Sequence, residues 1–184
     1  MGKIPVVLIP GMGCVPIKTA NFYGWLEKRL EGSEKYRLLP LHDWPDAQRC
    51  RASIWLPHLE HIVKGEDEES ILVGHSSGAV CAARFAERHK IRGIVCCAGY
   101  GNDLGDENER TSEYFDEPWN ASAITNNTDF RIVISGTKDH LVPFKEGMRF
   151  SETINADWIE LKKRGHFFNP PFEELIDALD ERCC

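Results

Sequence analysis

No run of apolar residues in this sequence approaches the roughly 20 that a membrane-crossing helix needs. The first apolar run, residues 4–9, is short and bordered by proline, so no secretory leader is expected. Basic residues are outnumbered. With 22 Lys and Arg against 29 Asp and Glu, the net charge is -7, which argues against a nucleic-acid partner. The excess of acid suits solubility and mildly disfavours anionic substrates. The dinucleotide fingerprint G-x-G-x-x-G and the phosphate loop G-x-x-x-x-G-K-[ST] are both missing. His58 and His61 form an H-x-x-H pair with no obvious third zinc ligand, and they read as a solvated helix face. No metal and no organic cofactor are expected. Regular cysteine spacing is also lacking. Seven cysteines is an odd number, in a chain too large to need staples. They read as reduced thiols in a reducing, cytoplasmic compartment. The Asn120 and Asn126 sequons carry no weight without an export signal. The ending Cys183-Cys184 is not a C-a-a-X box, because the fourth residue from the end is Glu181, and it reads as an unmodified, exposed end.

What is present points to one globular domain spanning residues 1–184. The chain is 42% apolar and 28% charged, with enough length for a real core. Six short runs rich in β-branched residues or leucine read as strands: 6–9, 37–41, 71–73, 93–97, 131–134 and 158–161. Several are continuously apolar, as in a parallel sheet covered on both faces. Helical faces fall between them. Phe22, Trp25, Leu26 and Leu30 share one, residues 79–85 supply a second, and Phe172, Leu175, Ile176 and Leu179 a third. Asn169 is expected to cap that last helix, with Pro170 and Pro171 next and Glu173 and Glu174 in the first turn. Pro57 predicts a break or kink in residues 53–63. Alternating strand and helix is the α/β pattern, with right-handed crossovers and ligands at the carboxyl ends of the strands.

The strongest motif lies at such an end. Gly74-His75-Ser76-Ser77-Gly78 is G-x-S-x-G between an apolar strand and a helix, the nucleophile elbow. Ser76 is the expected nucleophile. Glycine is needed on both sides because a side chain there would strike the neighbouring strand or helix. The following helix aims its positive end at a developing oxyanion. His75 is expected to point down and pack. From Ser77 only the backbone N–H is assigned, to the oxyanion hole, and its hydroxyl is read as a helix cap.

The order Ser, then acid, then His locates the partners. Asp139 closes Ser135-Gly136-Thr137-Lys138-Asp139, just past a strand, and His166 follows Arg164-Gly165, just past the next. Asp129 and Asp157 precede their strands, at the wrong end. His140 points elsewhere as Asp139's neighbour, and His42 and His89 read as structural. The second oxyanion donor is expected at the Met12 N–H, in the loop Pro10-Gly11-Met12-Gly13-Cys14 after the first strand. The expected reaction is acyl transfer to water through acyl-Ser76, on a small ester or amide, with an aminoacyl compound as one candidate. A protein-interaction module with a vestigial triad is the alternative. Phe144, Phe167, Phe168 and Trp119 are candidate pocket walls, with core packing as the competing account for each.

Several segments together resemble the retinoblastoma-binding protein 9 serine hydrolases. They are the elbow through Ala79, Ser53-Ile54-Trp55-Leu56-Pro57, Asp103-Leu104-Gly105-Asp106-Glu107-Asn108-Glu109-Arg110, Tyr23-Gly24-Trp25 and Gly165-His166-Phe167. The resemblance implies a compact α/β-hydrolase without a large cap domain, and a triad at Ser76, Asp139 and His166. It does not carry retinoblastoma-protein binding across. That property is attributed to an L-x-C-x-E segment, and the corresponding residues 60–70 here hold no cysteine. The acidic stretch 103–110 reads as a solvated loop of hydrogen-bonded turns, with recognition of a cationic substrate group as the sharper alternative.

Overall fold

A computed structural model describes residues 2–183, so Cys184 lies outside the described residues. Six strands form one sheet: β1 (Ile4–Ile9), β2 (Tyr36–Leu38), β3 (Ile71–His75), β4 (Ile91–Cys97), β5 (Thr128–Gly136) and β6 (Asp157–Leu161). Every pairing is parallel and the order is β2-β1-β3-β4-β5-β6. All six expected strands are present. β3 is buried at every residue and β4 at all but one, which explains their unbroken apolar runs. The second strand is shorter than expected and stops at Leu38.

The strand order decides where chemistry can occur. The chain leaves β1 outward to β2, then returns on the other side of β1 to β3. The crevice at the carboxyl ends of β1 and β3 is therefore the switch point, where α/β sheets bind ligands. Residues 10–14 and Ser76 emerge there.

Helices α1 (Tyr23–Glu31), α2 (Ala52–Val63), α3 (Ser77–Ala86), α4 (Glu107–Arg110), α5 (Ala121–Asn126), α6 (Phe144–Thr153) and α7 (Glu173–Arg182) complete the fold, covering both faces of the sheet. All ten residues of α3 are buried. Its small residues permit this, since a side chain at Gly78 would strike the Ile9 carbonyl of β1. On another part of the sheet the entries to α1 and α7 meet, with the Phe22 and Phe172 rings edge to face at 5.0 Å.

Two local expectations fail, and of the break or kink expected at Pro57 no break is present. Helix α2 runs unbroken through Pro57. The proline removes one intrahelical bond, while Trp55, Leu59 and Val63 stay buried on either side of it and hold the helix to the core. Helix α7 begins at Glu173, three residues later than Asn169 predicts, and Phe172 caps it without a side-chain bond. Pro171 pushes Pro170 out of the α region, so the helix starts only after the proline pair. Cys183 is not an exposed end. It is 7% exposed, and its N–H bonds the Leu179 carbonyl at the close of α7.

Candidate active site

Ser76 sits between β3 and α3 with φ 55° and ψ -120°, a left-handed conformation that an L-residue adopts only under constraint. The constraint is visible. The Ser76 N–H bonds the Cys97 carbonyl of β4 at 2.9 Å. A side chain at Gly74 would meet the Gly78 carbonyl and the Ala79 backbone, so the turn can close only on glycine. The turn leaves Ser76 part-exposed in a cleft of about 500 Å³, at the amino end of α3.

His166 and Asp139 arrive from the loops after β6 and β5. His166 Nδ1 lies 2.8 Å from Asp139 Oδ2, with the two side chains 4% and 2% exposed. The other carboxylate oxygen accepts the N–H groups of Leu141 and Val142, each at 2.9 Å. Burial alone would raise the Asp139 pKa, but the His166 bond and these two N–H groups outweigh it and hold the carboxyl below its ordinary value. Since the ionised carboxylate only accepts, His166 Nδ1 is the donor in this bond, which leaves Nε2 as the ring atom on the side away from Asp139. Ser76 and His166 line the same cleft. No hydrogen bond joins Ser76 Oγ to His166 among the described residues. Such bonds are often long before substrate binds and tighten afterwards.

Met12 and Ser77 border the same cleft. Neither backbone N–H has a partner among the described residues, whereas the flanking Gly11 and Gly13 N–H groups bond Tyr23 Oη and the Ala47 carbonyl. Two free donors beside Ser76 fit an oxyanion hole. The Met12 sulfur accepts from Asn108 Nδ2, which ties the loop to α4.

The Ser77 hydroxyl is not the helix cap expected from its position. It lies 3.2 Å from Tyr100 Oη and 3.2 Å from Glu109 Oε1. The elbow turns it away from the helix axis and toward the acidic segment. Glu109 is 6% exposed, and its Oε2 has no partner among the described residues. Burial pushes its carboxyl above the ordinary value, and Asp106 and Asp103 add to this, against the lowering bonds of Tyr100 and Ser77. Residues 103–106 form the hydrogen-bonded turn that the sequence suggested, whereas residues 107–110 are a short helix and not loop. Asp106 caps α4 at Asn108 and Glu109, Asp103 accepts from Gly105, and Arg110 pairs with Asp103 and Glu107.

Of the four candidate wall aromatics, Phe168 alone lines the cleft, 42% exposed and with its ring 5.1 Å from that of His166. The other three are spent on packing. Phe144 packs on Trp158, Phe167 stacks on Phe172 at 4.5 Å, and Trp119 sits under the Arg84 guanidinium. His75 is buried, as expected, but does more than fill space. Its Nδ1 lies 2.7 Å from Tyr23 Oη and its Nε2 2.8 Å from the His166 carbonyl. Neither partner was legible beforehand. Tyr23 comes from a helix start and the carbonyl is backbone.

The family described as Serine hydrolase matches residues 6–170. Serine hydrolase RBBP9 of Rattus norvegicus is 39% identical over 170 residues, covering 92% of this chain and 90% of the relative. The chain belongs to the serine hydrolase family of RBBP9 and YdeN. Putative hydrolase YdeN of Bacillus subtilis is 27% identical over 155 residues, covering 81% of this chain and 79% of the relative. The crystal structure of the B. subtilis ydeN gene product superposes with a TM-score of 0.83 at 24% identity, covering 97% of each chain, and it establishes the shared fold. The protein is thus a serine hydrolase of the esterase or amidase type, with an elbow serine beside a His/Asp network, suited to a small ester or amide substrate. Among the described residues no helix is long and apolar enough to cross a membrane.

Proposed function

We propose that Ser76 is the nucleophile, His166 its general base and acid, Asp139 the carboxylate that orients His166, and the Met12 and Ser77 N–H groups the oxyanion hole. The observation that carries this reading is the buried 2.8 Å Asp139–His166 bond opening onto the cleft that holds the strained Ser76. In the first half-reaction Ser76 Oγ adds to the carbonyl carbon and His166 Nε2 takes its proton. The carbonyl oxygen becomes an oxyanion facing Met12 and Ser77, and the amino end of α3 adds its positive field. Collapse expels the leaving group with the proton from His166 and leaves acyl-Ser76. In the second half-reaction His166 takes a proton from water, water adds to the acyl carbon, and Ser76 leaves reprotonated. Asp139 remains ionised throughout.

The aminoacyl part of the reading rests on Glu109. Glu109 lines the cleft next to Ser77, and its second carboxyl oxygen is buried without a partner, a capacity that an ammonium or other N–H donor on the substrate would satisfy. Six described cysteines are free thiols, which supports a reducing compartment, and we read the protein as cytoplasmic. One experiment tests the core of the proposal. Wild type and Ser76→Ala are exposed to a fluorophosphonate probe and to a panel of esters, including aminoacyl esters with free and acetylated amines. Ser76→Ala should keep the fold, lose labelling and lose on the order of 10^6 in turnover. Equal labelling of the two proteins refutes the nucleophile. Equal rates on free and acetylated amines refute the aminoacyl preference.

A further inference from the structure

We propose that His75 and Tyr23 form a buried bridge that holds the oxyanion loop and the His166 loop in register around Ser76, which makes both of them positioning residues for the hydrolysis. The proposal rests on the assignment of Ser76 and His166 made above.

Every bond in the bridge has a fixed direction. The His166 carbonyl can only accept, so His75 Nε2, 2.8 Å away, must donate. Full burial, reinforced by the neighbouring His166, pushes the His75 pKa down to about 3, so the ring is neutral and carries a single proton. Its Nδ1 is then an acceptor, and the Tyr23 hydroxyl at 2.7 Å donates to it. The phenol oxygen accepts in turn from the Gly11 N–H at 2.8 Å and from Asn21 Nδ2 at 3.1 Å. A continuous path therefore runs from the loop after β1, through the start of α1 and the end of β3, to the loop before α7. His75 directly precedes Ser76, so the peptide that sets the nucleophile's backbone also anchors the bridge.

The bridge takes no part in proton transfer. Both His75 nitrogens are occupied and the residue is 1% exposed. Its contribution is geometric. The tether on the His166 carbonyl fixes the backbone that carries the base, and the two imidazole centroids lie 4.9 Å apart. The tether on the Gly11 N–H fixes the residue before Met12, which itself lines the cleft with its N–H unpartnered among the described residues. Misplacing reacting groups by about 1 Å costs on the order of 100-fold in rate.

The test uses the full chain with Tyr23→Phe, His75→Leu, His75→Gln and the Tyr23→Phe/His75→Leu double variant. Tyr23→Phe removes a single oxygen and leaves the ring in the core. End-point titration with a fluorophosphonate counts competent sites, so kcat is expressed per site and unfolded protein drops out. Tyr23→Phe and His75→Leu should lower kcat roughly 10- to 100-fold with KM held within about 2-fold. Glutamine at 75 can still donate to the His166 carbonyl and should recover most of the His75→Leu loss. The double variant should be no slower than His75→Leu, since one bridge is broken only once. Unchanged kcat per site in Tyr23→Phe and His75→Leu, a loss confined to KM, or glutamine no better than leucine would each overturn the bridge. A wild type that takes no label at Ser76 would instead overturn the nucleophile assignment beneath it.

Discussion

The residues on either side of Ser76 open onto two polar regions built on opposite terms. Toward His75, every buried polar atom in the connection is matched. Tyr23, Gly11 and the His166 carbonyl use both ring nitrogens, and Asp139 spends both oxygens on His166, Leu141 and Val142. Toward Ser77, the match is incomplete. Tyr100 and Ser77 meet Glu109, and one carboxyl oxygen of Glu109 is left over. Buried polar groups left unmatched cost stability, and matched networks fix geometry. Under the proposed roles of Ser76, His166 and Asp139, the first region serves to align the reacting groups. The contrast leaves the second with one unmatched, buried acceptor on a residue that lines the cleft.

The largest effect tests the alignment side. Asp139→Asn should keep the packing but offer His166 an amide in place of a carboxylate, which favours the wrong tautomer and no longer stabilises the imidazolium. Turnover at neutral pH should fall about 10^4-fold, measured per titrated site. A fall below tenfold would mean that His166 does not depend on this partner, and the contrast between the regions would lose its catalytic half.

Much of this was legible from residue order alone, and the exceptions have physical causes. The strands announced themselves because β3 and β4 are covered on both faces and so read as unbroken apolar runs. The elbow was legible because sterics at Gly74 and Gly78 admit only glycine. Asp139 and His166 followed because parallel topology sends the loop after each strand to one edge of the sheet. What stayed hidden depends on distant side chains of ordinary type. Phe144 and Phe168 are the same residue, yet Trp158 claims the first and solvent the second. The Ser77 hydroxyl looked like a cap because Glu109, 32 positions on, is invisible to local reasoning. Pro57 looked like a breaker because the burial of its neighbours outweighs one lost bond.

The two regions should also answer to pH with opposite signs. His75 has a depressed pKa, about 3 when folded against 6.5 as its reference value. Between those values the unfolded chain takes up a proton that the folded chain refuses. Its stabilising contribution is complete above 6.5 and is lost as pH falls through this window. Asp139, also lowered, acts in the same direction further into acid. The unfolding free energy from urea titrations should therefore drop from pH 7 to pH 4, by on the order of a few kcal/mol from His75 alone. His75→Gln should flatten that decline even if it is less stable at pH 7. An identical slope in the two proteins would show that His75 accepts its proton in the folded state, and the fixed tautomer would go with it.

Glu109 supplies the smallest and most discriminating effect. Its folded pKa is raised, chiefly by burial. The stability linked to it is present below its ordinary value of 4.5 and is lost as pH rises through the folded pKa, so at neutral pH the ionised group is a liability. Glu109→Gln keeps the shape, removes the charge and should raise stability at pH 7 by about 1 kcal/mol, or roughly 2–4 °C in Tm. The gain should vanish below pH 4.5, where both proteins carry a neutral side chain. Paired thermal melts at pH 4 and pH 7 check both statements. A variant less stable than wild type at pH 7 would mean that the carboxylate is matched after all, and the asymmetry around Ser76 would disappear. If the gain appears, while hydrolysis of free-amine esters falls and that of acetylated ones does not, the same unmatched oxygen accounts for both the lost stability and the substrate preference.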